Sequence, residues 1–137
     1  MAWEVRLTDA LKDWFENELS DEEQDAITAA GHVLADRGPS LGRPLVDNVH
    51  QSRHKNMKEL IPPSGNIRIL FAFDPERKAI LLIGGDKTGE WNKWYGRNVP
   101  LADALYDQHL ADIEKKRKGA TDVQDSQVRR SHRRNRR

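Results

Sequence analysis

The sequence contains no cysteine. Structural disulfides, thiol catalysis and Cys-ligated zinc are therefore excluded. It has no apolar run approaching the ~18 residues a spanning helix needs, so no membrane association is expected. Met1 to Arg6 lack the basic-then-apolar pattern of a signal peptide, and a cytoplasmic protein is expected. Net charge is nearly absent too: 23 Lys and Arg oppose 22 Asp and Glu, leaving +1. The parts are far from neutral. Residues 115–137 hold ten basic groups and two acids, or +8, whereas residues 1–114 hold 13 basic and 20 acidic groups, or −7. Within that body, residues 1–36 carry ten acids against Arg6 and Lys12, and residues 37–97 carry eleven basic groups against six acids. An anionic ligand is expected to meet the middle third.

What is present is clear apolar periodicity over residues 1–114. Trp3, Val5 and Leu7 alternate with Glu4 and Arg6, which predicts a half-buried strand. Leu11, Trp14, Phe15 and Leu19 recur at helical spacing behind a Thr8 or Asp9 cap. Ser20 to Glu23 forms a capping box for a second helix carrying Ala26, Ile27, Ala30, Val33 and Leu34, stopped by Gly38-Pro39. Residues 40–52 read as irregular chain. Strands are expected at Lys55–Ile61, Ile67–Phe73 and Ala79–Ile83, joined by short turns into an antiparallel meander. Trp91 to Tyr95 opens a helical segment, and Pro100 suits the first turn of a last helix carrying Leu101, Leu105, Tyr106, Leu110 and Ile113. The class is α+β: a small antiparallel sheet of about four strands under an N-terminal helical hairpin, with a C-terminal helix. The expected division is a folded domain over 1–114 and a basic, disordered tail over 115–137.

Arg68 is the most informative residue for chemistry. It lies in an otherwise apolar strand, where a cation is costly unless an anion or solvent meets it. On strand parity it shares a face with Leu70 and Ala72, and that face is expected to be open. A structural ion pair with Glu59 is the alternative. Lys55 and Lys58 are expected to converge with Arg68 on one phosphate, with His54 beside them. Gly84 to Gly89 lacks the Walker A order but places Lys87 at the sheet edge. Trp91, Trp94 and Tyr95, interleaved with Lys87, Lys93 and Arg97, suit stacking on unpaired bases, although packing against the last helix is the simpler reading of Trp91. The five histidines lack metal-binding spacing, so neither a metal nor another cofactor is expected.

The segments Lys55-Asn56-Met57-Lys58-Glu59-Leu60, Ile67 to Pro75 and Leu81 to Gly89, followed by Trp91 and Trp94-Tyr95, resemble the RelE/ParE superfamily. Within it the chain looks like the phage-derived, HigB-like branch of type II toxin–antitoxin systems, from about Trp3 to Ile113. The resemblance implies a microbial ribonuclease-like fold and a metal-independent toxin that cleaves messenger RNA on the ribosome. It also implies assembly with a cognate antitoxin, usually of helix-turn-helix type. By position, Arg68 matches the arginine that contacts the scissile phosphate. Lys58 is then expected as base, Lys87 or Tyr95 as acid, and His54, Lys55, Lys93, Trp94 and Arg97 as RNA contacts. The alternatives are a non-enzymatic ParE-like toxin that binds DNA gyrase and a plain nucleic-acid-binding module that relies on the basic tail.

Overall fold

The computed structural model describes residues 2–119 with their side chains. Of the tail expected to be disordered over 115–137, residues 115–119 are helical, and the rest of the expectation lies outside the residues so described. Elements follow in the order β1 (Glu4–Leu7), α1 (Asp9–Glu18), α2 (Asp21–Arg37), β2 (Val46–Asn48), β3 (Lys58–Leu60), β4 (Ile67–Phe73), β5 (Lys78–Asp86) and α3 (Asn92–Arg136). The chain divides into two compact units, Met1–Tyr106 and Asp107–Arg137. In the second, Gln108 Nε2 donates to Asp112 Oδ1 at 2.9 Å. Among the described residues no helix is long and apolar enough to cross a membrane.

The helix starts follow from local chemistry. Thr8 accepts from the Leu11 amide at 3.1 Å, which satisfies one orphan donor at the start of α1. Ser20 and Glu23 bond reciprocally at the start of α2, at 3.2 and 2.9 Å. Gly38 ends α2 with φ +58, and a Cβ there would lie 2.4 Å from Trp3 Nε1. Both the conformation and the close ring call for glycine.

The sheet has five strands in the order β1-β5-β4-β3-β2. The meander β3-β4-β5 is antiparallel, and β1 joins β5 in parallel. The added strand is β2, in the stretch read as irregular; its three residues pair with β3, Val46 opposite Leu60. Ile67, Ile69, Phe71, Leu60, Val46, Ala79 and Leu81 bury one sheet face with Leu11, Ile27, Ala30 and Leu34 of α1 and α2.

The other face was expected to be open, and it is not. The first turns of α3 lie over it: Trp94, Val99, Ala102 and Tyr106 are buried, as are Leu70, Ala72 and Ile80 of the sheet. Tyr106 donates to the Phe73 carbonyl at 2.8 Å. The two C-terminal helical stretches form one helix that begins at Asn92, so Pro100 sits inside it rather than at its first turn.

The β4–β5 register shifts between Leu70 and Phe71, where Leu82 is the extra residue. The bulge puts Gly84 under the Trp14 ring on one face and Gly85 under the Trp94 ring on the other. A Cβ on Gly84 would lie 2.3 Å from Trp14. Gly84→Ala is expected to lose ~1–3 kcal/mol by overpacking. Gly31→Ala, in open space within α2, is expected to gain ~0.5–1 kcal/mol. Urea unfolding of the two variants checks both signs.

Candidate functional site

Register brings Arg68 opposite Gly85, and Glu59 opposite Leu70, on the face that α3 covers. With no side chain on Gly85, the Trp94 ring lies directly against β5, between the sheet and the start of α3. The Arg68 guanidinium and the Glu59 carboxylate lie there, with Nε 3.3 Å from Oε1 and side chains 14% and 11% exposed. Tyr95 donates its hydroxyl to the same Glu59 oxygen at 2.8 Å, and Arg68 Nη1 donates to the Ile67 carbonyl at 2.8 Å. Arg68 Nε is buried, and among the described residues no acceptor lies in line with it. The ion pair therefore supplies charge without using that proton well.

Lys87 closes the outer side. Its loop is ordered by the Lys87 amide donating to the Asn66 carbonyl at 3.1 Å and the Thr88 amide donating to Asp86 Oδ1 at 2.8 Å. Hydrogen bonds from the Thr88 side chain and backbone hold the Asp86 carboxyl below its usual range. Lys87 Nζ stands 5.0 Å from the Trp91 ring centre and 5.4 Å from that of Tyr95. Partial burial, then the neighbouring Arg68 charge, push the Lys87 ammonium down, against a smaller pull from Glu59. Burial, then the bond to Glu59 and its charge, push Tyr95 up to about 12.

The expected convergence of Lys55, Lys58 and Arg68 is absent. Lys58 pairs with Phe71, so its side chain belongs to the opposite face from Arg68, where Nζ donates to Asn48 Oδ1 at 3.0 Å. Lys55 precedes the strand in an exposed loop and, with His54, lines a separate polar hollow of about 330 Å³ near Ser52 and His50. Buried Asp103 on α3 fastens that loop by accepting from the Ser52 hydroxyl and from the Arg53 amide at 3.3 Å. The His54 ring stands edge-on to Tyr106 with centres 5.0 Å apart. Five residue steps of β4, ~17 Å, separate the Arg68 end of the strand from the Phe73 end that this loop abuts.

The tryptophans exchange the roles expected of them. Trp94 is 3% exposed beneath α3, so its ring is packing, whereas Trp91 is 55% exposed. Trp91 also holds φ +44, a strained conformation for a bulky residue. Lys93 is exposed, and Arg97 is exposed but ion-paired with Glu90. Glu59 is the member that the sequence reading treated only as a structural partner. Its face depends on the β3–β4 register, Glu59 opposite Leu70, which local spacing does not reveal.

Raised tyrosines make a direct prediction. The fold favours the neutral Tyr95 phenol, so its contribution to stability is complete below pH ~10. It is lost as pH rises through about 12. Both tyrosines, Tyr95 and Tyr106, are held above the ordinary range. Phenolate absorbance is expected to show little ionisation at pH ~10 while the protein stays folded. Glu59→Gln is expected to bring the Tyr95 titration down by removing the adjacent negative charge.

Comparison with known proteins places this geometry in a lineage. The family described as "Phage derived protein Gp49-like (DUF891)" matches residues 13–107. "Putative toxin HigB3" of Mycobacterium tuberculosis is 49% identical over 107 residues, which cover 78% of this chain and 93% of that protein. "Putative toxin HigB2" of the same organism is 50% identical over 101 residues, or 72% of this chain and 50% of that protein. Among solved structures, a mutant of the E. coli toxin RelE in the free state matches with TM-score 0.53 at 15% identity, over 73% of this chain and 97% of that one. The archaeal RelE–RelB complex of Pyrococcus horikoshii matches with TM-score 0.50 at 11% identity, over 66% and 99%. At such identities the structures speak for the fold alone. The family match over more than half of the chain, with the identity to nearly the whole of HigB3, means that this chain belongs to the phage-derived Gp49-like family, in the HigB-like branch of the RelE/ParE-type toxins.

Proposed function

We propose that this toxin is a metal-independent endoribonuclease that cuts messenger RNA on the ribosome and thereby stops translation. The carrying observation is the cluster of Arg68, Glu59, Tyr95 and Lys87 beside exposed Trp91, in which the Arg68 Nε proton lacks an aligned acceptor. A phosphate oxygen is the acceptor such a proton suits, and the guanidinium fork suits a phosphorane.

The reaction is in-line attack by an RNA 2′-hydroxyl on its own 3′-phosphate, with the 5′-oxygen leaving. The substrate brings its nucleophile, and the protein supplies cations, a base and an acid. Lys58 is turned to the other face, so Glu59 takes the part of base. A phosphate that engages Arg68 releases the carboxylate to accept the 2′-hydroxyl proton. Lys87 is the better acid. Its lowered pKa makes proton release to the 5′-oxygen easier, whereas Tyr95, raised to about 12, keeps its proton and serves to position Glu59. Trp91 offers an exposed ring for a base to stack on.

One observation favours a second reading. Arg68 is already neutralised by Glu59, and α3 covers the face they share, which suits a toxin that acts by binding a protein such as DNA gyrase. Two assays separate the readings: mapping RNA ends from translating ribosomes, and measuring gyrase supercoiling. Cleavage is expected in the first and no inhibition in the second. Glu59→Gln and Lys87→Ala are expected to lower the cleavage rate ~10²–10⁴-fold, the range for removing a general base or acid. Arg68→Lys is expected to lose ~10²-fold or more. Absence of new RNA ends with the wild type, or full cleavage by all three variants, overturns the nuclease.

A further inference from the structure

We propose that the polar hollow formed by the loop between β2 and β3 is a binding site for a small phosphomonoester, held by Lys55, His50 and Asn48. The site is separate from the Arg68 cluster and independent of the nuclease chemistry.

Charge along the chain marks this loop first. Residues 48–58 hold Arg53, Lys55, Lys58, His50 and His54 and no Asp or Glu. They do so inside a body, residues 1–114, that carries −7 overall. The acids nearest to the loop are already engaged. Asp47 pairs with Arg43 at 3.1 Å, Glu59 pairs with Arg68 at 3.3 Å, and buried Asp103 accepts from the Ser52 hydroxyl and the Arg53 amide. None of these pairings uses Lys55 or His50, both of which are exposed and line the hollow.

The loop is also held in one shape. The Val49 amide donates to the Met57 carbonyl at 3.0 Å and closes its base. Asn56 Nδ2 donates to Tyr106 Oη at 3.0 Å and to the Phe73 carbonyl at 3.2 Å. The His54 amide donates to Ser52 Oγ at 2.9 Å, and Ser52 in turn donates to Asp103, so the serine proton serves the fold rather than a ligand. Asn48 is oriented as well. Its Oδ1 accepts from Lys58 Nζ at 3.0 Å, leaving its amide N–H groups as donors. A site whose donors are fixed beforehand loses less entropy when a ligand arrives.

The dimensions decide the class of ligand. The hollow has a volume of about 330 Å³, and every residue lining it comes from the single stretch 48–55. That volume lies at the low end of small-molecule sites, ~300–1,000 Å³. A groove for a nucleic-acid strand would run on across neighbouring elements to track the backbone. Two imidazoles alone give a metal ion too few ligands, and among the described residues no group of three or more His, Asp or Glu side chains gathers. A phosphomonoester carries a charge of about −1.5 to −2 at neutral pH, more than a backbone diester does. Its three terminal oxygens suit an ammonium, an imidazole and an amide that arrive from separate positions.

The test is calorimetric titration of the full chain with four probes: adenosine 5′-monophosphate, inorganic phosphate, adenosine, and a 2′-deoxy trinucleotide without terminal phosphates. The monophosphate and inorganic phosphate are expected to bind, and adenosine is not. Lys55→Ala and His50→Ala are each expected to weaken the monophosphate ~10-fold or more, as loss of a charged hydrogen bond does. Lys12→Ala, which removes an exposed lysine on α1, is expected to bind as the wild type. Circular dichroism confirms that each variant is folded. Failure of the wild type to bind either phosphate overturns the proposal, as does wild-type affinity in both hollow variants. Equal weakening by Lys12→Ala also overturns it, because net charge alone is then at work. So does a trinucleotide that binds through Lys55 and His50 while the monophosphate does not, since the phosphate then belongs to a strand. Loss of the nuclease reading would show in the RNA-end mapping and leave this titration unchanged.

Discussion

One extra residue in β5 governs the arrangement of everything around it. Leu82 stands unpaired where Leu70 gives way to Phe71, and beyond it the side chains of β5 exchange faces. Without that shift Gly84 would face α3 and Gly85 would face α1. With it, each glycine lies beneath a different tryptophan, Trp14 or Trp94. Both helical layers can then approach the sheet at its β5 end. Arg68 pairs with Gly85, whose missing side chain lets the Trp94 ring lie against the sheet beside the guanidinium.

A cation in that position needs an anion, and Glu59 supplies it from the neighbouring strand. A largely buried ion pair contributes little net stability, because desolvation of both groups offsets their attraction. Removing one partner is far worse, since it leaves a buried charge alone. The pair thus makes Arg68 and Glu59 mutually dependent, and Tyr95 ties both to α3. An apolar pair would fill the space at less electrostatic risk. Keeping two charges and a phenol there, with one guanidinium proton poorly used, is more readily understood as a site than as packing.

Local chemistry made much of the fold legible. The Ser20 box, the Thr8 cap and the Gly38 stop depend on neighbours within four residues, and each is present. The parity of β4 also read correctly, with Ile67, Ile69 and Phe71 on the face buried by the helices. The failures are all non-local. β2 is three residues long and exists only because β3 pairs with it. The cover over the Arg68 face depends on Asn92 to Tyr106 running as one helix, whereas Pro100 in isolation signals a helix start. Lys55 and Lys58 are three apart, a spacing that cannot put both on one face of a strand. Identifying Glu59 as their replacement required the pairing with Leu70, which no local pattern reveals.

The segregation of charge along the sequence acquires a spatial meaning from the sheet order. The acidic first third forms β1 and the helical hairpin, and so occupies one edge of the sheet and one of its faces. Arg68 and Lys87 lie on the other face, where the cationic middle third contributes strands and the loop after β5. The hairpin side is thereby the more acidic one, although Lys58 of the middle third reaches that side and bonds Asn48.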